Sequence, residues 1–160
     1  MSPGTRLSLT HSNGMDEAMT AQPRYPGPLS LDSAIASFSL VTLADRPFKS
    51  EGDKTTTESR DLGIAKATGG RVLMKHTRAI APFDKETGWH WHDMDAHIVF
   101  VIRGWVRFAY AGMGDAVTVE AGSCISQPTG VPHNVVGRSD DLEAIEINIP
   151  AEHGTYEHRD

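Results

Sequence analysis

The chain has 160 residues, 39% of them hydrophobic and 22% charged, with a formal net charge of −6. That length and balance predict one soluble domain with a sizeable core, and acids scattered along the sequence leave no basic footprint for nucleic acid. No apolar run approaches the roughly 18 residues of a membrane-spanning helix, and no continuous apolar stretch follows Arg6, so neither a membrane partner nor a secretory signal is expected.

Cys124 is the single cysteine. No internal disulfide can form, which suits a reducing cytoplasm, and Cys124 reads as a small core residue. Residues 1–60 read as an N-terminal arm and outer segment. The first 30 are rich in Ser, Thr, Gly and Pro and end in the stiff run from Pro23 to Pro28. Such composition cannot bury enough surface to fold alone. Asp32 is placed to cap a short helix through Phe38, while Phe38–Leu43 alternates loosely as a strand would. Residues 45–60 are polar and aperiodic and read as a loop.

Strand patterning begins at Leu62. Leu62–Ala67 and Arg71–Ile80 flank Thr68-Gly69-Gly70, a hairpin signal. His76 in the second of these reads as a surface or packing histidine. A loop over 81–88 delivers Trp89-His-Trp-His92, and the run from His97 to Arg103 is apolar on both faces. A strand of that kind is buried on both sides or lies under a subunit interface. Trp105–Ala111 and Asp115–Glu120 form a hairpin about Gly112-Met113-Gly114. Ser123–Gln127 is a short strand, and Pro128–Pro132 is a turn in which Gly130 supplies a positive φ. His133–Val136 and Leu142–Ile149 are further strands. Residues 151–160 read as a polar tail with His153 and His158 solvated. About eight to ten short strands and no long helix describe an all-β sandwich or small barrel.

The histidines carry the chemistry. Strand side chains alternate with period two, so His90 and His92 share one face. His97 heads the next strand, and His133 arrives behind the Pro-Gly turn. Neutral imidazoles converging inside a β structure outline a transition-metal site. The bland alternative is a set of buried histidines hydrogen-bonded to one another and to backbone.

The longer pattern is more specific. His90-x-His92-x4-His97-x6-Gly104 is followed by Gly122-x5-Pro128-x-Gly130-x2-His133. This resembles the two signature motifs of the cupin superfamily, in which the first supplies two His and a Glu and the second a His. The similarity covers about residues 88–137. It departs from the family at three positions: Asp84 stands for the first motif's glycine, His97 for its Glu, and Gly137 for the second motif's Asn. The His97 replacement removes the one anionic ligand.

The resemblance implies a cupin double-stranded β-helix, a jelly-roll barrel over 61–150. It implies one divalent transition metal per chain held by His90, His92, His97 and His133. Imidazole suits Fe, Ni, Cu and Zn, with Mn a further candidate. Cupins with His-only sites include dioxygenases that cleave β-diketones, so a non-haem iron dioxygenase acting on a small, anionic or 1,3-dicarbonyl-like molecule is the leading expectation. A metal-dependent isomerase or lyase and a non-catalytic sensor stand behind it. Trp89, Trp91, Phe108, Tyr110 and Gln127 are expected to line the pocket. Glu146 is expected to hold a ligand's second ring N–H or to act as a base. Arg103 and Arg107 read as a solvated edge. The apolar strand Ile98–Ile102, with Leu31–Leu43, predicts a homodimer.

Overall fold

The computed structural model describes residues 38–51 and 56–159; the expected irregular arm and the helix beginning at Asp32 lie outside them. Ten strands and one short helix follow in order: β1 Thr57–Asp61, α1 Ile64–Ala67, β2 Leu73–Ala79, β3 His90–His92, β4 Ala96–Arg103, β5 Trp105–Tyr110, β6 Val117–Glu120, β7 Cys124–Gln127, β8 His133–Arg138, β9 Glu143–Ile149 and β10 Thr155–Glu157. They form two five-stranded antiparallel sheets, β1-β2-β9-β4-β7 and β10-β3-β8-β5-β6. From β2 onward the chain passes from one sheet to the other at nearly every connection. That is the jelly-roll sandwich the sequence predicts.

Period-two alternation fills the space between the sheets. Val99 and Val101 of β4, Ala144 of β9, Val106, Phe108 and Tyr110 of β5, Val119 of β6 and Leu142 make the core. Val101 is fully buried. One face of β4 therefore meets the expectation of burial. The other does not within the single chain, because Phe100 and Ile102 remain 41% and 44% exposed.

Three segments differ from the sequence reading. Leu62–Ala67 is not a strand: Gly63 takes φ +76° and the chain enters the single turn of α1. The strand beside β2 is instead the polar Thr57–Asp61, which begins inside the 45–60 stretch read as a loop. An edge strand needs no apolar alternation when ionic side chains supply its outer contacts, and Arg78 donates to Glu58 here at 2.6 Å. At the other end, the polar tail contains β10. It pairs with β3 in the register Thr155↔His92, Tyr156↔Trp91 and Glu157↔His90. Strand pairing thus extends on both sides of the expected 61–150 barrel. Gly130 does take a positive φ, at +70°. Cys124 is exposed on β7 rather than in the core.

Gly104 makes the tight passage from β4 to β5. Its φ is +71°, and a Cβ there would collide with Ser139 Oγ and stand 2.7 Å from Asp141 Oδ1 and 3.1 Å from the Leu142 nitrogen. Both the left-handed backbone and the crowding exclude a side chain. Gly104→Ala is expected to lower unfolding free energy by about 2–4 kcal/mol in chemical denaturation; a loss below about 1 kcal/mol would show that the turn relaxes freely.

Candidate metal centre

Three histidines meet between the sheets because β3 and β8 are neighbours. His90 lies opposite His133 in the ladder, and His92 is two residues along on the same face. Ring centroids are 4.6 Å apart for His90–His133, 5.0 Å for His90–His92 and 5.2 Å for His92–His133. One nitrogen from each lies within 4.8 Å of the others. An ion held by imidazoles at about 2.1 Å draws their nitrogens to about 3.0–3.4 Å, so small ring rotations close the set.

The far nitrogens decide which atoms are offered. His90 Nδ1 is 2.8 Å from the Gly88 carbonyl, and His133 Nδ1 is 3.1 Å from the Val131 carbonyl. A carbonyl only accepts, so both Nδ1 atoms carry the proton. Their Nε2 atoms are left with a free lone pair. His92 Nδ1 is 2.9 Å from Thr155 Oγ1, a hydroxyl able to accept the Nδ1 proton in the same way. Three Nε2 lone pairs with occupied Nδ1 atoms are the donor set a divalent transition metal takes. The residues fit the ion that the sequence motif implies.

His97 enters from β4 in the other sheet. Its ring is 5.4 Å from that of His92 and 5.9 Å from that of His133. It belongs to a second, buried network. Tyr110 Oη donates to Gln127 Oε1 at 2.9 Å. The Gln127 amide is 3.2 Å from His97 Nδ1, and His97 Nε2 is 3.2 Å from Glu146 Oε1. The consistent assignment has Gln127 donating to Nδ1 and Nε2–H donating to the carboxylate. Asn148 Nδ2 also donates to Glu146, at 3.2 Å. His97 becomes a fourth metal donor only by exchanging one of these partners.

Burial and mutual repulsion keep His92 and His133 neutral. Desolvation, then the neighbouring His97, His133, His90 and His153, hold His92 down at about 4. His133 is lowered mainly by burial, partly offset by its bond to Val131. For Glu146, burial raises the carboxyl, but His97, through its hydrogen bond and charge, and Lys75 outweigh it and hold the group at about 2. Burial pushes Tyr110 up to about 12.

Of the expected pocket residues, Phe108, Tyr110 and Gln127 are buried between the sheets. The tryptophans are not there. They alternate with the histidines on β3 and so face away: Trp91 stacks on Tyr156 at 4.5 Å, and Trp89 is exposed. Glu146 bonds His97, not a ring of the three-histidine group. Arg103 lies on an exposed edge, paired with Glu143 at 3.3 Å. Sequence reading missed Thr155, His153 and Asn148. His153 is half-buried rather than solvated, its ring 5.6 Å from that of His92. The only signal was a pair of β-formers, Thr155 and Tyr156, in a polar tail.

Comparison with known proteins agrees with this architecture. The family model described as "Cupin domain" matches residues 77–149, and over those residues the chain is similar to that family. No curated protein matches the sequence. Among solved structures, the polyketide cyclase RemF from Streptomyces resistomycificus is similar at TM-score 0.61 and 21% identity, covering 76% of this chain and 86% of that one. KdgF from Halomonas sp. is similar at TM-score 0.53 and 11% identity, covering 71% and 96%. The Bacillus subtilis oxalate decarboxylase OxdC, studied for its Mn(II) centres, is similar at TM-score 0.57 and 16% identity, covering 73% and 31%. At these identities the likeness concerns the fold. No helix among the described residues is long and apolar enough to cross a membrane.

The lowered His92 has a consequence for the metal-free protein. The unfolded chain protonates this ring near 6.5, the folded chain near 4. Below 6.5 the unfolded state binds more protons, so folding stability falls as pH drops through that window and is fully present above it. Thermal midpoints measured in chelator are expected to fall from pH 7 to pH 4.5, and His92→Gln should flatten the fall. A midpoint indifferent to pH in the parent protein would refute the buried, neutral assignment.

Proposed function

We propose that this chain is a mononuclear metal-dependent enzyme acting on a small oxygen-bearing molecule. The observation that supports it is the set of three Nε2 lone pairs from His90, His92 and His133, each ring held at its other nitrogen. A bound divalent ion would supply Lewis acidity and a template for substrate oxygens. With neutral protein ligands its positive charge stays uncompensated, which favours an enolate, carboxylate or 1,3-dicarbonyl-like substrate. Iron with dioxygenase chemistry is the leading version. Mn joins Ni, Zn and Cu as alternatives, since the oxalate decarboxylase neighbour has Mn(II) centres.

His97 separates two readings. In the oxygenase reading it exchanges Glu146 for the ion and completes a four-imidazole set, at the position where the sequence motif has its Glu. In the second reading it stays on Glu146, and the pair moves a proton to or from a substrate carbon or oxygen, as an isomerase, lyase or cyclase requires. The His97–Glu146 contact favours this second reading, and the cyclase and decarboxylase neighbours carry enzyme activities of that broad kind.

The test is metal analysis of protein purified without added metal, followed by oxygen-uptake assays against 1,3-dicarbonyls. His90→Ala and His133→Ala are each expected to weaken metal binding by at least about 10-fold. His97→Gln is expected to weaken binding and change the spectrum of the loaded protein, with His97→Glu restoring binding. Full metal content and an unchanged spectrum in His97→Gln would leave the three-histidine set and favour proton transfer. Metal-dependent oxygen uptake supports the oxygenase, and iron absent from every preparation would reject its iron form. A metal-loaded protein with no turnover of any candidate would point to the sensor alternative.

We further propose that a second copy covers the outer face of β4 and β9. Ile98 lies opposite Ile147 and Phe100 opposite Ile145, which makes an apolar surface beside the exposed Ile102. Light scattering is expected to give twice the 17.4 kDa chain mass, and Phe100→Lys to return the monomer. A monomeric parent at micromolar concentration would reject the dimer.

A further inference from the structure

The segment after Pro150 is fastened to the strand that carries His90 and His92. The Gly154 nitrogen and Tyr156 Oη donate to the two carboxylate oxygens of Asp93, the second at 3.0 Å. The Tyr156 ring stacks on Trp91, and the His158 nitrogen donates to the Trp89 carbonyl at 2.9 Å. These contacts seat Thr155 opposite His92.

His92 differs from its two companions in how it is held. His90 and His133 bond carbonyls two residues away in their own chain stretch, so their orientation is local. His92 bonds the side chain of a residue 63 positions away, supplied by the docked tail. Beside it, His153 Nδ1 is buried with no hydrogen-bond partner, an arrangement that a ligand at this spot would relieve.

We propose that β10 is a clasp on the metal centre, in which Thr155 is a positioning residue for His92 and tail docking and metal binding favour each other. The proposal rests on the metal-centre reading above. Thr155 Oγ1 accepts the Nδ1 proton, which leaves Nε2 as the donor to the ion. Without the hydroxyl, that proton has no acceptor and the ring no fixed angle. Coupling between two equilibria is reciprocal, so an ion that fixes His92 must also stabilise the docked tail.

The test uses the full chain, with zinc as the probe. Zinc affinity is measured by competition with a chromophoric chelator, and hydrogen exchange is followed in the peptide containing 151–159, with and without zinc. Thr155→Val, nearly isosteric at an exposed position, is expected to bind zinc at least about 10-fold more weakly. Thr155→Ser should stay within about 3-fold of the parent, because it keeps the hydroxyl. Zinc should slow exchange in the tail of the parent and the Ser variant and do so far less in the Val variant. Equal zinc affinity in Val and parent, or tail exchange that zinc leaves unchanged, overturns the clasp while the metal centre stands. A parent that binds no zinc, or any other divalent ion, overturns the metal centre and the clasp with it.

Discussion

The site depends on hydrogen bonds made on the far side of three imidazole rings. A histidine has two nitrogens of comparable basicity, and a ring free to flip offers either. The carbonyls of Gly88 and Val131 remove that freedom for His90 and His133, and Thr155 removes it for His92. The two carbonyls place the proton on Nδ1 and the lone pair between the sheets, and the Thr155 hydroxyl is able to accept in the same way. The short strand β3 makes this possible, because it pairs with β8 on one side and β10 on the other. A strand of three residues has little cohesion alone. Its neighbour β10 holds the ring of His92.

That arrangement has a thermodynamic cost. Four imidazoles lie within a few ångströms of one another inside a sandwich, where a charge on any one opposes charge on the rest. The fold keeps His92 and His133 neutral at the expense of acid stability. A sequence selected only for stability would fill this space with apolar side chains, as it does a few residues away at Val99, Val101 and Phe108. The change from apolar core to histidine cluster along the same strands marks where packing gives way to chemistry.

The second network runs across the sandwich from the first. Tyr110 lies in one sheet, Gln127, His97 and Glu146 in the other, and the buried donors and acceptors between them are matched in sequence. Such a chain holds His97 firmly yet leaves it an alternative partner in an ion beside His92 and His133. Where a Glu at this position would bring its own negative charge to an ion, His97 brings none, and the negative charge resides one bond further out, on Glu146.

Period-two patterning, turn residues and motif spacing determined the all-β class, most strand positions, the sharing of one face by His90 and His92, and the arrival of His133. These are local properties, and a strand's alternation is written in neighbouring residues. Tertiary structure decided the rest. Whether Trp91 lines the site or faces away depends on which side of β3 meets the other sheet, and alternation alone assigns sides without saying which is inner. Polar Thr57–Asp61 became a strand, and Leu62–Ala67 did not, because edge pairing with β2 outweighs apolar pattern. The partner of His92 is a threonine 63 residues away in a tail with almost no strand signal, brought there by Asp93, Trp91 and Tyr156. Contacts across such distances are fixed by the packing of the whole sandwich, which no short window of sequence contains.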